Sequence, residues 1–240
     1  MTNSIVITIK KINGVVVPSI TGKIKRLTLS DTDALIKLQR IVIESVPSEI
    51  FFPEQEVFFE SHLIKGGVIV GCFVENKLIA YSTLVAYGYD SSNLGYDIGI
   101  DHKEIPEVAH LESIVVHPNY RGNNLQYYIS QQIEATAVAQ GFKHLCATVA
   151  PSNLYSLRNF LSLEFVFKME RYKYGGRLRY ILHKPLNVLP LNHRSTPEHS
   201  FFVFKINPEY RDRLKILTEM HRKTHMDMKM QECINIFCLR

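Results

Sequence analysis

The residues best suited to chemistry lie in one stretch, from His110 to Gln126. His110 and Glu112 are two apart, so on an extended strand both side chains point to the same face. An imidazole and a carboxylate on one face can remove a proton from a reacting group as a general base. The same two residues also fit a structural reading, with Glu112 salt-bridged and His110 satisfied where the strand begins. A carboxylate on an otherwise apolar strand requires a partner or a role, so both readings stay open. After the β-branched run Ile114, Val115 and Val116, Pro118 ends the strand because it cannot donate to a sheet ladder. Arg121-Gly122 then opens a helical pattern. The backbone amides of Arg121, Gly122, Asn123, Asn124, Leu125 and Gln126 lack partners within that helix. Together with the macrodipole and the Arg121 charge they form an anion site. Taken alone, Arg121-Gly122 would read as a helix start with a surface arginine.

In its context the stretch says more. The run Val116-His117-Pro118-Asn119-Tyr120-Arg121-Gly122 resembles the acetyl-CoA-binding motif of the GCN5-related N-acetyltransferases, the GNAT superfamily, written V-x-P-x-x-R-G-x-G-x-G/A. Asn124 stands where that family usually has glycine, and Gln126 where it prefers glycine or alanine. Asparagine tolerates a left-handed backbone, whereas Gln126 puts bulk near the expected diphosphate. A second run, Asn153 to Phe165, resembles the family's N-x-x-[AS]-x-x-[LF]-Y-x-x-x-G-F. Asn153 and Ser156 match it, Phe160 lies where tyrosine is expected, and Glu164 replaces the glycine before Phe165.

The resemblance covers roughly residues 23 to 186 and implies a mixed α/β fold, a central and mostly antiparallel sheet flanked by helices. It implies acetyl-CoA as co-substrate and transfer of the acetyl group to a primary amine, of a small molecule or a peptide, by direct attack in a ternary complex. The pantetheine arm would pair with the backbone of Ile114, Val115 and Val116, splaying that strand from the one at 143 to 149. The diphosphate would sit on the amides from Arg121 to Gln126, and Asn153 and Ser156 would also contact the cofactor. His110 and Glu112 occupy positions that serve a proton-removing path in similar enzymes, and either is open as the base. Phe160 cannot act as an acid, so the acid is unassigned; a thiolate with a pKa of about 8.5 can also leave unaided. The departures at Asn124, Gln126, Phe160 and Glu164 fit two rival readings: an acyl-CoA-binding or regulatory module with weak or no catalysis, or a shared fold with an unrelated ligand.

These residues need elements to hold them. Residues 4 to 19 alternate apolar and polar around Asn13-Gly14, a hairpin pattern that precedes the family's usual start and sets residues 1–22 apart as an N-terminal extension. A strand over 23 to 29 leads to a helix capped by Ser30 or Asp31, carrying Leu35, Leu38, Ile41 and Val42. A second helix, roughly 54 to 65, precedes two strands joined at Glu75-Asn76. Residues 88 to 107 form a long polar connection, expected to act as a lid over the acceptor. The helix from about Asn123 to Gln140 carries the stripe Leu125, Ile129, Ile133 and Ala137, with Gly141 as its C-cap. A strand follows at 142 to 149, and a final pair at about 165 to 174 and 178 to 185 is joined at Gly175-Gly176.

Residues 187–240 form a C-terminal extension: a linker to 199, a strand at 200 to 206, a helix from Pro208 to about Glu232 and a last strand at 234 to 237. Too small for a core of its own, it is expected to pack on the main domain or on a second copy in a homodimer. His221 and His225 have metal-chelating spacing, but with no clear third ligand the helix reads as basic and solvated, and no metal is expected.

Composition sets the bounds. At 240 residues, with a net charge of +5, the chain can bury a substantial core and suits an anionic cofactor without arguing for nucleic acid. No apolar run reaches membrane-spanning length, and no cationic segment followed by an apolar one opens the sequence, so a soluble cytoplasmic protein is expected. Cys72, Cys146, Cys233 and Cys238 lack Cys-x-x-Cys spacing and read as reduced thiols, two of them in the core.

Overall fold

The computed structural model describes residues 4–186. The C-terminal elements expected over 200–237, the His221/His225 pair, Cys233, Cys238 and the proposed dimer-forming role all lie outside the described residues. Strand β1 (Ile5–Ile12) turns at Asn13-Gly14 into β2 (Val15–Arg26). Both turn residues have positive φ, 52° and 75°, as a two-residue hairpin turn of matching twist requires. The second arm of the expected hairpin at 4–19 and the strand expected at 23–29 are therefore one long strand, and the boundary drawn after residue 22 falls inside it. Gly22 does not break β2. It lets β1 approach, since a Cβ there would meet Ile7 Cγ1 at 2.9 Å.

The helices α1 (Thr32–Ile43) and α2 (Glu56–Ile64) follow, then strands β3 (Val68–Val74) and β4 (Lys77–Ala86), the single turn of helix α3 (Leu94–Asp97), and strand β5 (Val108–Val116). Next come α4 (Leu125–Ala139), β6 (His144–Val149), α5 (Leu154–Ser162), β7 (Val166–Lys173) and β8 (Arg177–Pro185). The eight strands form one sheet in the order β1-β2-β3-β4-β5-β6-β8-β7. Only β5 and β6 pair in parallel. This is the mixed, mostly antiparallel sheet expected.

The helical stripes go where their period directs them, except for Ile41 of α1, which is exposed. Leu35, Leu38 and Val42 of α1 and Phe59 of α2 pack with Ile69, Tyr81 and Val115 of the sheet. Leu125, Ile129, Ile133 and Ala137 of α4 are all buried. Cys72 and Cys146 are free thiols in the core, where burial pushes both up to about 12.

The 88–107 connection differs from its expected role as a lid. It is packed, with Asn93 fully buried and its side-chain amide donating to the carbonyls of Gly88 at 2.8 Å and Ile105 at 3.0 Å. Its acidic residues are spent as well: Asp97 pairs with Arg171 and Lys173 of β7. Polar residues that looked destined for solvent instead satisfy buried backbone. Among the described residues no helix is long and apolar enough to cross a membrane, and no group of three or more His, Cys, Asp or Glu could hold a metal.

Candidate active site

The two flanks of β5 are bonded very differently. Along β4 it pairs from Ala86↔Ala109 to Ala80↔Val116. Along β6 it pairs only at Val108↔His144, Ala109↔Leu145 and His110↔Cys146, after which the strands part. A bulge accompanies the parting: the β4–β5 register shifts between Tyr81 and Thr83, and Ser113 sits at a φ of 50°. Ser82 Oγ donates to the Glu112 carbonyl at 2.9 Å and fixes the irregular turn. Bulges bend a strand and re-aim its side chains, and this one lies where β5 leaves β6.

At the opening is a cavity of about 110 Å³. Its walls are Leu111 to Ile114 of β5, Thr148 to Ala150 at the end of β6, residues of α5, the connection from α1 to α2, and two residues near the last hairpin, Tyr174 and Arg179. Glu112 faces this space, its side chain 17% exposed. Tyr87 donates to both its oxygens, at 3.1 and 3.2 Å. Burial, then the charge of Glu112, pushes the Tyr87 phenol upward, so it stays protonated and remains a donor. Glu54 lies close by and accepts from Ser113 Oγ at 3.0 Å. Burial raises its carboxyl above the usual range, opposed by the Ser113 bond and assisted by the charge of Glu112. The site therefore contains two carboxylates.

His110 and Glu112 do share a face, with His110 Nδ1 3.5 Å from Glu112 Oε1. The imidazole is only 1% exposed. Leu94 N–H points at His110 Nε2 from 3.3 Å, Asn93 Oδ1 lies 3.2 Å from the same nitrogen, and Nδ1 is the ring nitrogen that faces Glu112. The 88–107 connection thus fixes the imidazole's orientation.

The anion loop is built from backbone. His117 Nδ1 accepts from Asn119 N–H, and Arg121 N–H donates to the Pro118 carbonyl at 3.2 Å. The Arg121 amide is therefore used within the turn, and Arg121 offers only its side chain, which contacts Ser45 Oγ at 3.0 Å. This corrects the expectation that its amide would join the anion site. The amides of Gly122, Asn123, Asn124, Leu125 and Gln126 have no partner among the described residues. Gly122 has a φ of 81° and Asn124 a φ of 54°, so Asn124 takes the left-handed backbone that the family's glycine would. Glu164 does the same at 68°.

Three of the residues assigned to the cofactor use their side chains within the protein. Asn123, 8% exposed, accepts from Lys10 N–H at 2.8 Å and Lys11 N–H at 3.0 Å, and donates to the Lys11 carbonyl at 2.8 Å and the Tyr120 carbonyl at 2.9 Å. Asn13 N–H adds a bond to the Asn119 carbonyl at 2.7 Å, so the N-terminal hairpin braces the loop. Asn153 caps α5 by accepting from Ser156 N–H at 3.1 Å. Gln126 bridges α4 to α5, donating to Ser156 Oγ at 2.9 Å and accepting from Asn159 at 3.0 Å. Ile114 lines the cavity beside Glu112, while Val115 is core and 1% exposed. Val116 pairs with Ala80.

Sequence reasoning missed Glu54, Tyr87, Tyr174 and Arg179. Phe160 is buried against Phe165, ring centroids 4.9 Å apart, as a packing residue.

A family model described as the acetyltransferase (GNAT) family matches residues 35–165. Among curated proteins none matches the sequence. Solved structures do: an N-acetyltransferase from Staphylococcus aureus Mu50 superposes with a TM-score of 0.55 at 16% identity, over 69% of this chain and 99% of that one. The ribosomal-protein-S18-alanine N-acetyltransferase from Escherichia coli gives 0.53 at 19%, over 72% and 99%. A phosphinothricin acetyltransferase from Sinorhizobium meliloti, solved with acetyl-CoA, gives 0.52 at 18%, over 69% and 88%. At these identities the likeness is one of fold.

Proposed function

Since the chain belongs to the GNAT acetyltransferase family, enzymes that use acetyl-CoA, we propose that it transfers the acetyl group to a primary amine by direct attack in a ternary complex, with Glu112 taking the amine's proton. The family is one of enzymes, which favours the catalytic reading over the binding-module reading. The observation that carries the proposal is the position of Glu112: a carboxylate held by a neutral phenol at the point where one edge of β5 is left without a strand partner.

The residues present suit the co-substrate. The open edge of β5 offers backbone groups to an extended arm, and the amides from Gly122 to Gln126 offer donors to a diphosphate, with Arg121 beside them. Acetyl-CoA supplies an acyl group already activated as a thioester. Glu112 and Glu54 together draw a cationic amine toward the cavity. Glu112 accepts one of its protons, the freed nitrogen pair forms a bond to the acetyl carbon, the carbon–sulfur bond breaks with its pair on sulfur, and the second proton of the acylated nitrogen passes to the departed thiolate. His110 is buried, outside the cavity's lining and 3.5 Å from Glu112, so in this scheme it positions Glu112 rather than competing as base. Phe160 cannot protonate the thiolate, and a group with a pKa of about 8.5 leaves without an acid.

The test is thiol release from acetyl-CoA over a panel of primary amines, small molecules and peptides, with the product weighed by mass spectrometry. One thiol per acetylated amine, with initial-rate lines that intersect, is the expected result. Thiol release that ignores the amine would sink the proposal, and parallel lines would replace direct attack with an acyl-enzyme route.

A further inference from the structure

One charged group of the cavity is unused by this mechanism. Arg179 of β8 lines the cavity and is only 4% exposed. Its guanidinium makes one hydrogen bond among the described residues, from Nη1 to the Leu178 carbonyl at 2.9 Å. No described carboxylate lies within 4.0 Å of it, although Glu49 is near enough to exert an electrostatic pull. A guanidinium carries five N–H donors in a rigid fork, and a buried one ordinarily spends them on an anion. The Tyr174 ring lies 5.7 Å away and offers its face but no counter-charge.

The negative charge of the cavity lies elsewhere. Glu112 and Glu54 are among its lining residues, and the Tyr174 hydroxyl, which shares a hydrogen bond with Thr148 Oγ1 at 3.1 Å, feels both carboxylates and Arg179. The cavity is therefore bipolar, with carboxylates for an ammonium and an unpaired fork for an anion. We propose that Arg179 is the acceptor's anion-recognition residue, and that the acceptor is a primary amine carrying an oxyacid group, carboxylate or phosphonate, which the guanidinium grips as the amine faces Glu112. This rests on the acetyl-transfer reading for what happens to the amine, but the anion site stands on its own geometry.

The experiment uses the full chain and matched triplets with one carbon skeleton: an amino acid, its aminophosphonate and the plain amine. Thiol release gives kcat and KM for each member. Calorimetry on the CoA-saturated protein gives the affinity of each N-acetylated counterpart without any turnover. Charge-assisted forked pairs contribute enough that the better anionic member should exceed the plain amine by about 10–10²-fold in kcat/KM, mostly through KM. Arg179→Gln should collapse that ratio, and Arg179→Lys, which keeps the charge and loses the fork, should leave part of it. Which anionic member binds better decides between carboxylate and phosphonate.

If all three members react alike and their N-acetylated forms bind alike, the anion site is wrong and acetyl transfer stands. If none releases thiol while the anionic ligands still bind and lose affinity in Arg179→Gln, the transfer reading falls and the anion site stands. A ratio unmoved by Arg179→Gln overturns the assignment. Should that variant fail to fold, the wild-type ratio in turnover and binding, together with Arg179→Lys, still decides.

Discussion

One half of the site is backbone: the amides of Gly122 to Gln126, which have no partner among the described residues, and the edge of β5 that β6 leaves open. The other is side chains drawn from separate parts of the chain, with Glu54 before α2, Tyr87 after β4, Glu112 in β5, and Tyr174 and Arg179 by the last hairpin. A backbone half can bind one constant ligand, because every amide is alike and only the turn's shape must be kept. A side-chain half can be changed residue by residue, which suits a variable partner. The two halves should accordingly fail in different ways.

The largest failure should come from the side-chain half. Glu112→Gln keeps shape and loses basicity, so kcat should fall by about 10²–10⁴ while calorimetric affinity for acetyl-CoA holds. An unchanged rate and pH profile would make Glu112 structural and leave the amine to arrive already neutral. In the backbone half, Arg121→Glu reverses the one full charge beside the amides. Acetyl-CoA affinity should drop by about 10–10²-fold with the circular dichroism spectrum unaltered, and equal affinity would remove the diphosphate assignment. The smallest effect separates support from chemistry. Tyr87→Phe removes the donor that holds Glu112 in place, so kcat should fall by roughly 3–10-fold with acetyl-CoA affinity unchanged. An unchanged kcat would mean that Tyr87 does not position the working carboxylate.

The same contrast decides what the sequence could reveal. The backbone half is contiguous, so its proline, arginine and glycine stand at readable spacing, and the helical stripe of α4 lies next to them. Even the departures keep its shape, since Asn124 and Glu164 take the left-handed conformation of the glycines they replace. The side-chain half was legible only at His110 and Glu112, where strand alternation places two residues on one face. Glu54 and Arg179 are far apart in sequence and meet only through the fold, so no spacing announces them. Two further features were hidden for a different reason. Asn123 and Asn93 look like loop residues, yet each is buried and spends its amide on carbonyls of distant backbone, which only a folded chain brings near. The boundary drawn after residue 22 falls where two strands pack closely at Gly22.

The brace on the anion loop bears on how the protein comes to fold. Asn123 binds the backbone of Lys10 and Lys11 across 113 and 112 residues of chain. Contacts of such separation come late, because the entropy of closing so long a loop is lost before any bond is gained. Strand β1, which precedes the other described strands in the chain, must therefore wait as an uncovered sheet edge until the loop has been made. The loop in turn owes its final shape to a segment synthesised long before it, so the readiness of this site to receive an anion reports on completion of the sheet as a whole.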